Sequence, residues 1–490
     1  MKGKIASRAA YFCGAIAVCG VLAGNFAAGQ TSRVQAKRPT VSALMLSDIH
    51  FDPFHDPAKV RRLADAPVSV WEAILAEPAS GDQSSAFAAV QHQCGARGVD
   101  TPFPLLRSSL NAAKRTAPDA KFIMVSGDLI AHGFGCRYAA VIPGRSQNEY
   151  AAFAAKTIEF VTTELRGTFP GVPVYVALGN NDSGCGDYRL DGGGAFLAAA
   201  ARSVVAGLPK STDQKEMLAD FTAGGNYSVM MAAPMQNTRL IVLDDVFLSP
   251  KYATCGGGHD DEAAATQIAW LQKELSDARR YQQRVWVMGH IPPGVDIYST
   301  FAKMRNVCAN DKPEMFLASG KLEDVLVENA DLVRLGIFAH THMDELRLLG
   351  PEGNARGGEV AIKVVASISP VNGNSPSFTV ARIDPAAATL TDYSVFSSSN
   401  GTGIDTSWSK EYGYGQTYHQ AAFTPAALEK LIEEFRADPN AKMDVSRAYI
   451  NDFFVGDRSS LIKPLWPQYV CALRHSTSKG FRDCICSASQ

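Results

Sequence analysis

The sequence lacks an excess of charge of either sign. Its 490 residues include 47 Lys and Arg against 49 Asp and Glu, which leaves a formal net charge of −2. A nucleic-acid-binding chain usually carries a basic surplus, and a chain with a basic partner often carries an acidic tail. The charge balance therefore gives no signal of nucleic-acid binding and no sign of a basic partner.

Beyond the first thirty residues, the sequence also lacks any apolar run close to the roughly 20 residues that a membrane-spanning helix needs. No internal repeat is present, and oligomeric state cannot be read from the pattern. Hydrophobic residues make up 46% of the chain and charged residues 20%. This composition is typical of an ordinary globular protein.

The N-terminus has the layout of a secretory signal peptide. Lys2, Lys4 and Arg8 precede an apolar, small-residue stretch at 9–24, and small residues follow at 27–29. Because the apolar stretch is shorter than a membrane span, cleavage is favoured over retention as an anchor. We therefore predict a signal peptide at residues 1–29 and a secreted or periplasmic location.

Cysteine usage agrees with export. Removing residues 1–29 leaves an even number of cysteines, which favours disulfides in an oxidising compartment. A zinc site that includes Cys484 and Cys486 is the rival, although their spacing is not that of a C-x₂₋₄-C pair. The pattern alone leaves the connectivity open among Cys94, Cys136, Cys185, Cys255, Cys308, Cys471, Cys484 and Cys486.

Short β-branched runs alternate with helical patterns, and a polar cluster follows each run. This alternation predicts a layered α/β core with the polar residues gathered beyond the carboxyl ends of the strands. The predicted strands are 41–46, 121–126, 172–178, 284–288 and 333–339, and the clearest predicted helices are 105–114, 149–165 and 262–278.

Toward the C-terminus the pattern changes. The runs at 359–366, 377–383 and 389–396 predict further strands that complete a second sheet. Beyond about residue 400, helical patterns at 425–437 and 445–454 precede the last three cysteines. The sequence thus predicts a catalytic domain over 41–400 and a Cys-rich helical subdomain over 401–490.

The polar clusters together supply a set of oxygen and imidazole donors. Each motif alone is weak, because a lone Gly-Asp or Gly-Asn is usually a turn and a lone Gly-His a loop residue. As a set they indicate a site for Zn²⁺, Mn²⁺ or Fe, since so many ionisable groups placed together without cations would be costly. The set comprises Asp48, His50, Asp128, Asn180, His290, His340 and His342.

These motifs resemble those of calcineurin-like metallophosphoesterases. The segments SDIHFDP (47–53), SGDLIAH (126–132), LGNND (178–182), GHIPPG (289–294) and FAHTHMDE (338–345) occur in the family's order. Three of them are similar to the acid sphingomyelinase-like branch, whereas GNND is closer to endopolyphosphatases. The resemblance implies a four-layer α/β/β/α fold with a C-terminal helical, Cys-rich subdomain and a dinuclear metal site.

The resemblance also implies a ligand assignment. One metal ion would be held by Asp48, His50 and His342, and the other by Asn180, His290 and His340. Asp128 would bridge the two ions, and a hydroxide between them would attack phosphorus. Asp344 and Glu345, which follow the last ligands, would orient them without binding metal.

Two further residues are expected near the phosphate. His132 corresponds to a histidine that competes, in sphingomyelinase-like enzymes, to protonate the leaving group. The second competitor in that branch is the histidine of GNH, and here its position holds Asn181, which can donate a hydrogen bond but no proton. The departure shifts the general-acid role to His132.

The resemblance predicts an exported phosphodiesterase acting on a small-molecule or polymeric phosphoester. An endopolyphosphatase or nucleotide phosphohydrolase is the alternative within the same chemistry. A catalytically inactive, metal-stabilised binding protein is the alternative of another class. The resemblance also implies a disulfide between Cys255 and Cys308.

Overall fold

A computed structural model describes residues 39–210, 214–352, 356–456 and 462–487. The predicted signal peptide lies outside the described residues. By their contacts, the described residues form one unit. None of the described helices is long and apolar enough to cross a bilayer.

Two six-stranded mixed sheets form the centre of the fold. The first has the order β12-β11-β10-β1-β2-β3, and the second has the order β4-β5-β6-β7-β9-β8. In chain order the strands are β1 (Val41–Leu46), β2 (Ile123–Ser126), β3 (Val174–Ala177), β4 (Tyr227–Met230), β5 (Thr238–Val242), β6 (Arg284–Met288), β7 (Val333–Phe338), β8 (Glu345–Leu349), β9 (Val360–Val364), β10 (Ser377–Asp384), β11 (Thr389–Ser398) and β12 (Trp408–Gly413).

Helices cover both sheets. α4 and α7 contact the first sheet, and α9 and α13 contact the second. The α-helices are α1 (Pro57–Asp65), α2 (Trp71–Ala76), α3 (Gln83–Gln93), α4 (Phe103–Thr116), α5 (Phe134–Val141), α6 (Gln147–Thr168), α7 (Ala195–Val205), α8 (Gln214–Gly224), α9 (Asp261–Arg280), α10 (Ile297–Ala302), α11 (Lys321–Glu328), α12 (Tyr414–Tyr418), α13 (Pro425–Arg436), α14 (Asp444–Phe453), α15 (Trp466–Arg474) and α16 (Ser478–Ser487).

The two sheets pack against each other through large side chains. The buried Trp286 ring of β6 lies 6.1 Å from that of Phe122, beside β2. The Tyr227 hydroxyl of β4 donates to the carbonyl of Val176 in β3 and accepts from its amide. Together with the helices outside them, the sheets give the predicted four-layer α/β/β/α architecture.

The parallel strands explain where the polar clusters gather. β1, β2 and β3 run parallel, and so do β5, β6, β7 and β9. Their interiors are almost wholly buried, which is why they read as continuous apolar runs rather than alternating ones. Because parallel strands end at the same edge, the loops that follow them meet.

The late strands correct one prediction. β9 joins the second sheet as expected, but β10 and β11 pair antiparallel beside β1 in the first sheet. Trp408–Gly413, beyond residue 400, pairs with β11 and extends the same sheet. Strand pairing depends on long-range contacts, so the pattern identified the strands without their sheet.

The eight cysteines of the described chain form four disulfides, which are Cys94–Cys136, Cys185–Cys255, Cys308–Cys486 and Cys471–Cys484. The expected pairing of Cys255 with Cys308 is therefore wrong. Cys308 instead ties the segment after α10 to α16, across 178 residues of sequence. The rival zinc site at Cys484 and Cys486 is excluded because both sulfurs are in disulfides.

Candidate dinuclear metal centre

The predicted ligands stand on loops with an unusual backbone. Non-glycine residues rarely adopt positive φ, and where they do the strain often accompanies function. Hydrogen bonds between loops hold these conformations, as where the amide of His50 donates to the carbonyl of Asp128 at 2.9 Å. The residues with positive φ include Asp48 (44°), His50 (43°), Asp128 (54°), His340 (73°) and His342 (66°).

Two glycines make room for the buried carboxylate between these loops. A Cβ on Gly179 would overlap the side chain of Asp128. A Cβ on Gly127, which has φ of +91°, would lie 2.7 Å from the Nδ1 atom of His290. The Gly-Asp and Gly-Asn motifs therefore need their glycines because the side chains of the site approach the backbone so closely.

One group of donor atoms surrounds the loop after β1. The Nε2 atoms of His50 and His342 are 3.2 Å apart. The Oδ1 atom of Asp48 lies 3.4 Å from Nε2 of His342 and 3.7 Å from Nε2 of His50. All three side chains are buried.

A second group adjoins the first and shares Asp128 with it. The Oδ2 atom of Asp128 lies 3.2 Å from Nε2 of His290 and 3.4 Å from Nε2 of His50. The Nδ1 atom of His340 is 3.3 Å from Nε2 of His290. Asp128 thus stands between the two groups.

These separations fit ligands that converge on cations. Donor atoms about 2.0–2.2 Å from one ion in tetrahedral geometry lie roughly 3.3–3.6 Å from each other. Buried polar atoms normally have hydrogen-bond partners. Within the described residues, the Oδ1 atoms of Asp48 and Asn180 are buried without one. The donor set therefore fits two divalent ions.

Hydrogen bonds to backbone carbonyls select the tautomers of two histidines. Nδ1 of His50 is 2.9 Å from the carbonyl of Ile130, and Nδ1 of His290 is 2.7 Å from that of Ser126. Since a carbonyl only accepts, each Nδ1 carries a proton, and Nε2 is the ring nitrogen that can bind a cation once it is deprotonated.

The electrostatics of the site couple cation binding to protons. Burial lowers the pKa of His340 and of His342 to about 3, so both are neutral near pH 7. Burial also disfavours charge on His50 and His290, but the Asp128 carboxylate outweighs it and raises their pKa values to about 9 and about 10. Cations that bind there must displace those protons.

The structure brings His132 to the same edge. Its ring stacks on that of His50, with centroids 3.8 Å apart, and 38% of its side chain is exposed. Its Nδ1 atom and its backbone amide each donate to Asp100, both at 2.9 Å. A ring nitrogen of His132 also lies within 4.8 Å of donor atoms of His50 and His342.

The two asparagines of GNND have different partners. The Nδ2 atom of Asn180 donates to Asp187 at 2.7 Å. Its Oδ1 atom is buried and has no hydrogen-bond partner among the described residues. Asn181 donates from its backbone amide and from Nδ2 to the two carboxylate oxygens of Asp128, at 2.8 and 2.9 Å. Asn181 therefore holds Asp128 in place.

Three buried carboxylates that support the site were not singled out from the sequence. Asp100 orients His132, Asp182 accepts from the amides of Leu129 and Ile130, and Asp245 accepts from the amide of His290. Burial raises the pKa of Asp182 and of Asp245 to about 7. Asp245 shares one feature with the other site residues, since it lies shortly after a buried strand, β5. That strand was not predicted from the sequence, so Asp245 was not identified.

The carboxylates after the last ligands contradict the sequence expectation. Asp344 accepts from Tyr412 and forms an ion pair with the buried Lys363. Glu345 accepts from Arg347 and Tyr469. None of these contacts involves a metal-ligand histidine, and two of them tie the carboxylates to Tyr412 and Tyr469 in the C-terminal region.

A cleft of about 420 Å³ adjoins the second donor group. His340 forms part of its wall, together with the aromatic rings of Tyr298 and Phe316 and the cation of Arg97. A larger cavity of about 940 Å³ lies among the C-terminal helices and contains none of the predicted site residues. Of these two cavities, only the smaller is lined by a predicted metal ligand, His340.

The fold and this donor set define a class of enzyme. The chain belongs to the calcineurin-like phosphoesterase family, which it matches over residues 42–344. It is therefore a metal-dependent phosphoester hydrolase by family.

Its relatives narrow the branch. The chain is 25% identical to mouse "Cyclic GMP-AMP phosphodiesterase SMPDL3A", over 79% of this chain and 82% of the relative. It is 24% identical to mouse "Acid sphingomyelinase-like phosphodiesterase 3b", over 90% of this chain and 89% of that one. It is 22% identical to Dictyostelium discoideum "Sphingomyelinase phosphodiesterase C", over 79% and 82%.

Proposed function

We propose that this chain is an exported phosphodiesterase that works with two divalent cations. The observation that supports this most is the position of Asp128. Its Oδ2 atom lies within 3.4 Å of Nε2 of both His50 and His290, which belong to different donor groups. A carboxylate at that position suits a bridge between two ions.

In this proposal the donor groups become two coordination shells. Asp48, His50 and His342 would hold one ion, Asn180, His290 and His340 would hold the other, and Asp128 would bridge them. Imidazole and oxygen donors favour Zn²⁺, with Mn²⁺ or Fe as the alternatives. No cysteine of the described chain is free to compete, because all eight are in disulfides.

When bound, two such cations would supply Lewis-acid stabilisation of the phosphate and would lower the pKa of a bound water. The chain itself supplies the proton for the leaving group. Asp100 fixes the orientation of the His132 ring through Nδ1, so Nε2 is the nitrogen that serves the leaving oxygen. Asn181, committed to Asp128, holds the bridging carboxylate and gives no proton.

The proposed substrates are soluble phosphodiesters. The name of one relative, a cyclic GMP-AMP phosphodiesterase, supports this class. The cleft of about 420 Å³ beside His340 has room for a leaving group of nucleotide size. The GNND segment at 179–182 keeps polyphosphate or a nucleotide as the alternative.

Export rests on two observations. The pattern of residues 1–29 is that of a signal peptide. The four disulfides fit an oxidising compartment, because they rarely persist in a reducing cytosol. The mature chain is therefore proposed to be periplasmic or secreted.

The test compares bis-p-nitrophenyl phosphate with p-nitrophenyl phosphate, using the metal-loaded mature protein with and without chelator. We expect faster hydrolysis of the diester and its loss on chelation. A panel of sphingomyelin, ATP, cyclic nucleotides and polyphosphate then assigns the substrate. Hydrolysis of no substrate by fully loaded protein would contradict the proposal and favour an inactive binding protein.

A further inference from the structure

Two neighbouring residues, Asp187 and Tyr188, contact side chains proposed to hold the second ion. In the proposed centre that ion is the one held by Asn180, His290 and His340. The Nδ2 atom of Asn180 donates to Oδ1 of Asp187 at 2.7 Å. The Nε2 atom of His340 is 3.2 Å from the hydroxyl oxygen of Tyr188. One short stretch of chain therefore contacts two of the three ligands.

The contact with Asp187 determines which end of the Asn180 amide can bind a cation. A carboxylate accepts hydrogen bonds, so the amide nitrogen is the end that faces Asp187. The amide oxygen, Oδ1, is buried and has no hydrogen-bond partner in the part of the chain that the structure describes. Because an asparagine side chain binds a divalent cation through its oxygen, Asp187 leaves the ligand atom of Asn180 available.

The contact with Tyr188 does the same for the imidazole of His340. The Nδ1 atom of His340 lies 3.3 Å from Nε2 of His290, within the second donor group. A neutral histidine that binds a cation through Nδ1 carries its proton on Nε2, and that N–H needs an acceptor. The phenol oxygen of Tyr188 is at hydrogen-bond distance from Nε2 and can accept from it.

The first donor group is supported differently. The Nδ1 atom of His50 is 2.9 Å from the carbonyl of Ile130, which orients that ring through the backbone. The Nδ1 atom of His342 is buried without a hydrogen-bond partner among the described residues. The hydrogen bonds of Asp187 and Tyr188 to proposed ligands therefore concern the second ion alone.

The 185–190 loop, which carries both residues, is fixed by contacts outside the donor groups. The amide of Ala253 donates to the carbonyl of Tyr188, and the amide of Leu190 donates to the carbonyl of Ala253, both at 3.0 Å. The Cys185–Cys255 disulfide joins the same two segments. Tyr188 has a φ of 55°, and such strain in a non-glycine residue often accompanies function. The loop thus gives the carboxylate and the phenol a defined position.

We propose that Asp187 and Tyr188 are positioning residues for the second metal ion, Asp187 through Asn180 and Tyr188 through His340. The inference rests on the proposed dinuclear centre and adds to it a difference between the two ions. The affinity for the second ion depends on the 185–190 loop, and the affinity for the first does not.

The test is the stepwise removal of Zn²⁺ from metal-loaded protein by a chelator, with the bound metal measured at each concentration. We expect Asp187→Ala and Tyr188→Phe each to weaken the binding of one ion by roughly 10–100-fold, the scale of losing a residue that orients a metal ligand. The binding of the other ion should be nearly unchanged. With Co²⁺ in place of Zn²⁺, the visible spectrum should show the same loss at one ion.

A double-mutant comparison shows which ion is affected. His340→Ala removes a ligand of the second ion and should lose that ion. Adding Tyr188→Phe to His340→Ala should then leave the affinity for the remaining ion unchanged, because the phenol acts only through the imidazole. A further loss of affinity would mean that Tyr188 acts on the whole site and would overturn its role.

The same two segments offer matched controls. Tyr252→Phe removes a buried hydroxyl that donates to the carbonyl of Leu190, and Asp191→Ala removes a carboxylate that accepts from the amide of Cys255. Neither control should change the affinity for either ion.

Equal weakening of both ions, or no weakening in Asp187→Ala and Tyr188→Phe, overturns the positioning role. Wild-type protein that holds fewer than two ions would instead overturn the proposed centre, so the two failures are distinguishable.

Discussion

Asp100 holds His132 at two points, through the ring Nδ1 and through the backbone amide, each at 2.9 Å. The carboxylate is buried and also accepts from Arg137 at 3.2 Å and Ser369 at 3.0 Å. With this many donors, its position is fixed, and so is the plane of the imidazole. The orientation of this half-exposed histidine beside His50 is therefore fixed, which suits its proposed role as general acid.

Replacing His132 should affect substrates according to their leaving groups. His132→Ala should slow a diester with an alkoxide-like leaving group by roughly 10²–10⁴-fold, because that oxygen leaves only when protonated. Hydrolysis of a p-nitrophenyl ester should slow much less. Adding Asn181→His to the His132→Ala enzyme should partly restore hydrolysis of the diester with the poor leaving group. Steady-state kinetics on the two substrates test this role. Equal losses of rate on both would indicate that His132 positions the phosphate and does not donate the proton.

Replacing Asp100 tests the orientation of that ring. Asp100→Asn should lower kcat for the poor leaving group by about 10–100-fold, the scale of losing a partner that orients a site residue. The p-nitrophenyl ester should be nearly unaffected and the metal content unchanged. A parallel fall in metal content would show that Asp100 supports His50 and not the proton donor.

Asp128 should be the most sensitive of the proposed ligands. Metal analysis should find close to two divalent ions per chain. Asp128→Asn should lower both occupancy and activity more than any other single ligand change, because both ions lose a bond. Asp220→Asn, on α8, is a control for the loss of a carboxylate elsewhere. An active Asp128→Asn enzyme beside an inactive His50→Ala enzyme would refute the bridge.

The disulfide map is directly checkable. Peptide mapping of unreduced protein should recover the Cys308–Cys486 pair, and Cys308→Ser with Cys486→Ser should lower the free energy of unfolding by about 2–5 kcal/mol. Denatured, unreduced protein should show no more than a trace of free thiol. Four or more titratable thiols, or a peptide joining Cys255 to Cys308, would be the contrary result.

Replacing Asp344, which pairs with Lys363, tests whether this carboxylate serves stability or metal binding. Asp344→Ala leaves the buried Lys363 side chain without its carboxylate partner and should cost about 3–5 kcal/mol. Lys363→Met combined with Asp344→Leu should recover much of that loss. Chemical unfolding measures the first effect, and metal analysis of the folded protein should find unchanged occupancy. Loss of metal with full stability would restore the role that the sequence suggested for Asp344.

Asp452 should make stability depend on pH. Burial raises its pKa from 3.8 to about 7, and the Tyr418 hydroxyl donates to it. Because the folded state holds this proton more tightly than the unfolded chain, stability falls as pH rises from about 4 to about 7. Asp452→Asn should therefore gain stability relative to wild type between pH 5 and pH 8, whereas Asp444→Asn, on the same helix, should not.

The sequence determined the strands that matter and the residues that follow them. β1 and β6 begin and end at the predicted residues, and β7 differs by one. Buried parallel strands are short apolar runs, and the donors come directly after them, so local pattern is sufficient. The same local signals predicted α6 and α9 to within three residues at each end.

Tertiary structure alone decided which residues support those donors. Asp100 reaches His132 across 32 residues, and Asp245 reaches the amide of His290 across 45. The pairing of Cys255 with Cys185, and of β10 with β1, likewise joins segments far apart in the chain. The number of residues between two such segments does not determine their distance in space, because loop closure and packing set that distance. The donors were therefore readable from the chain, whereas the contacts that orient them appear only when it folds.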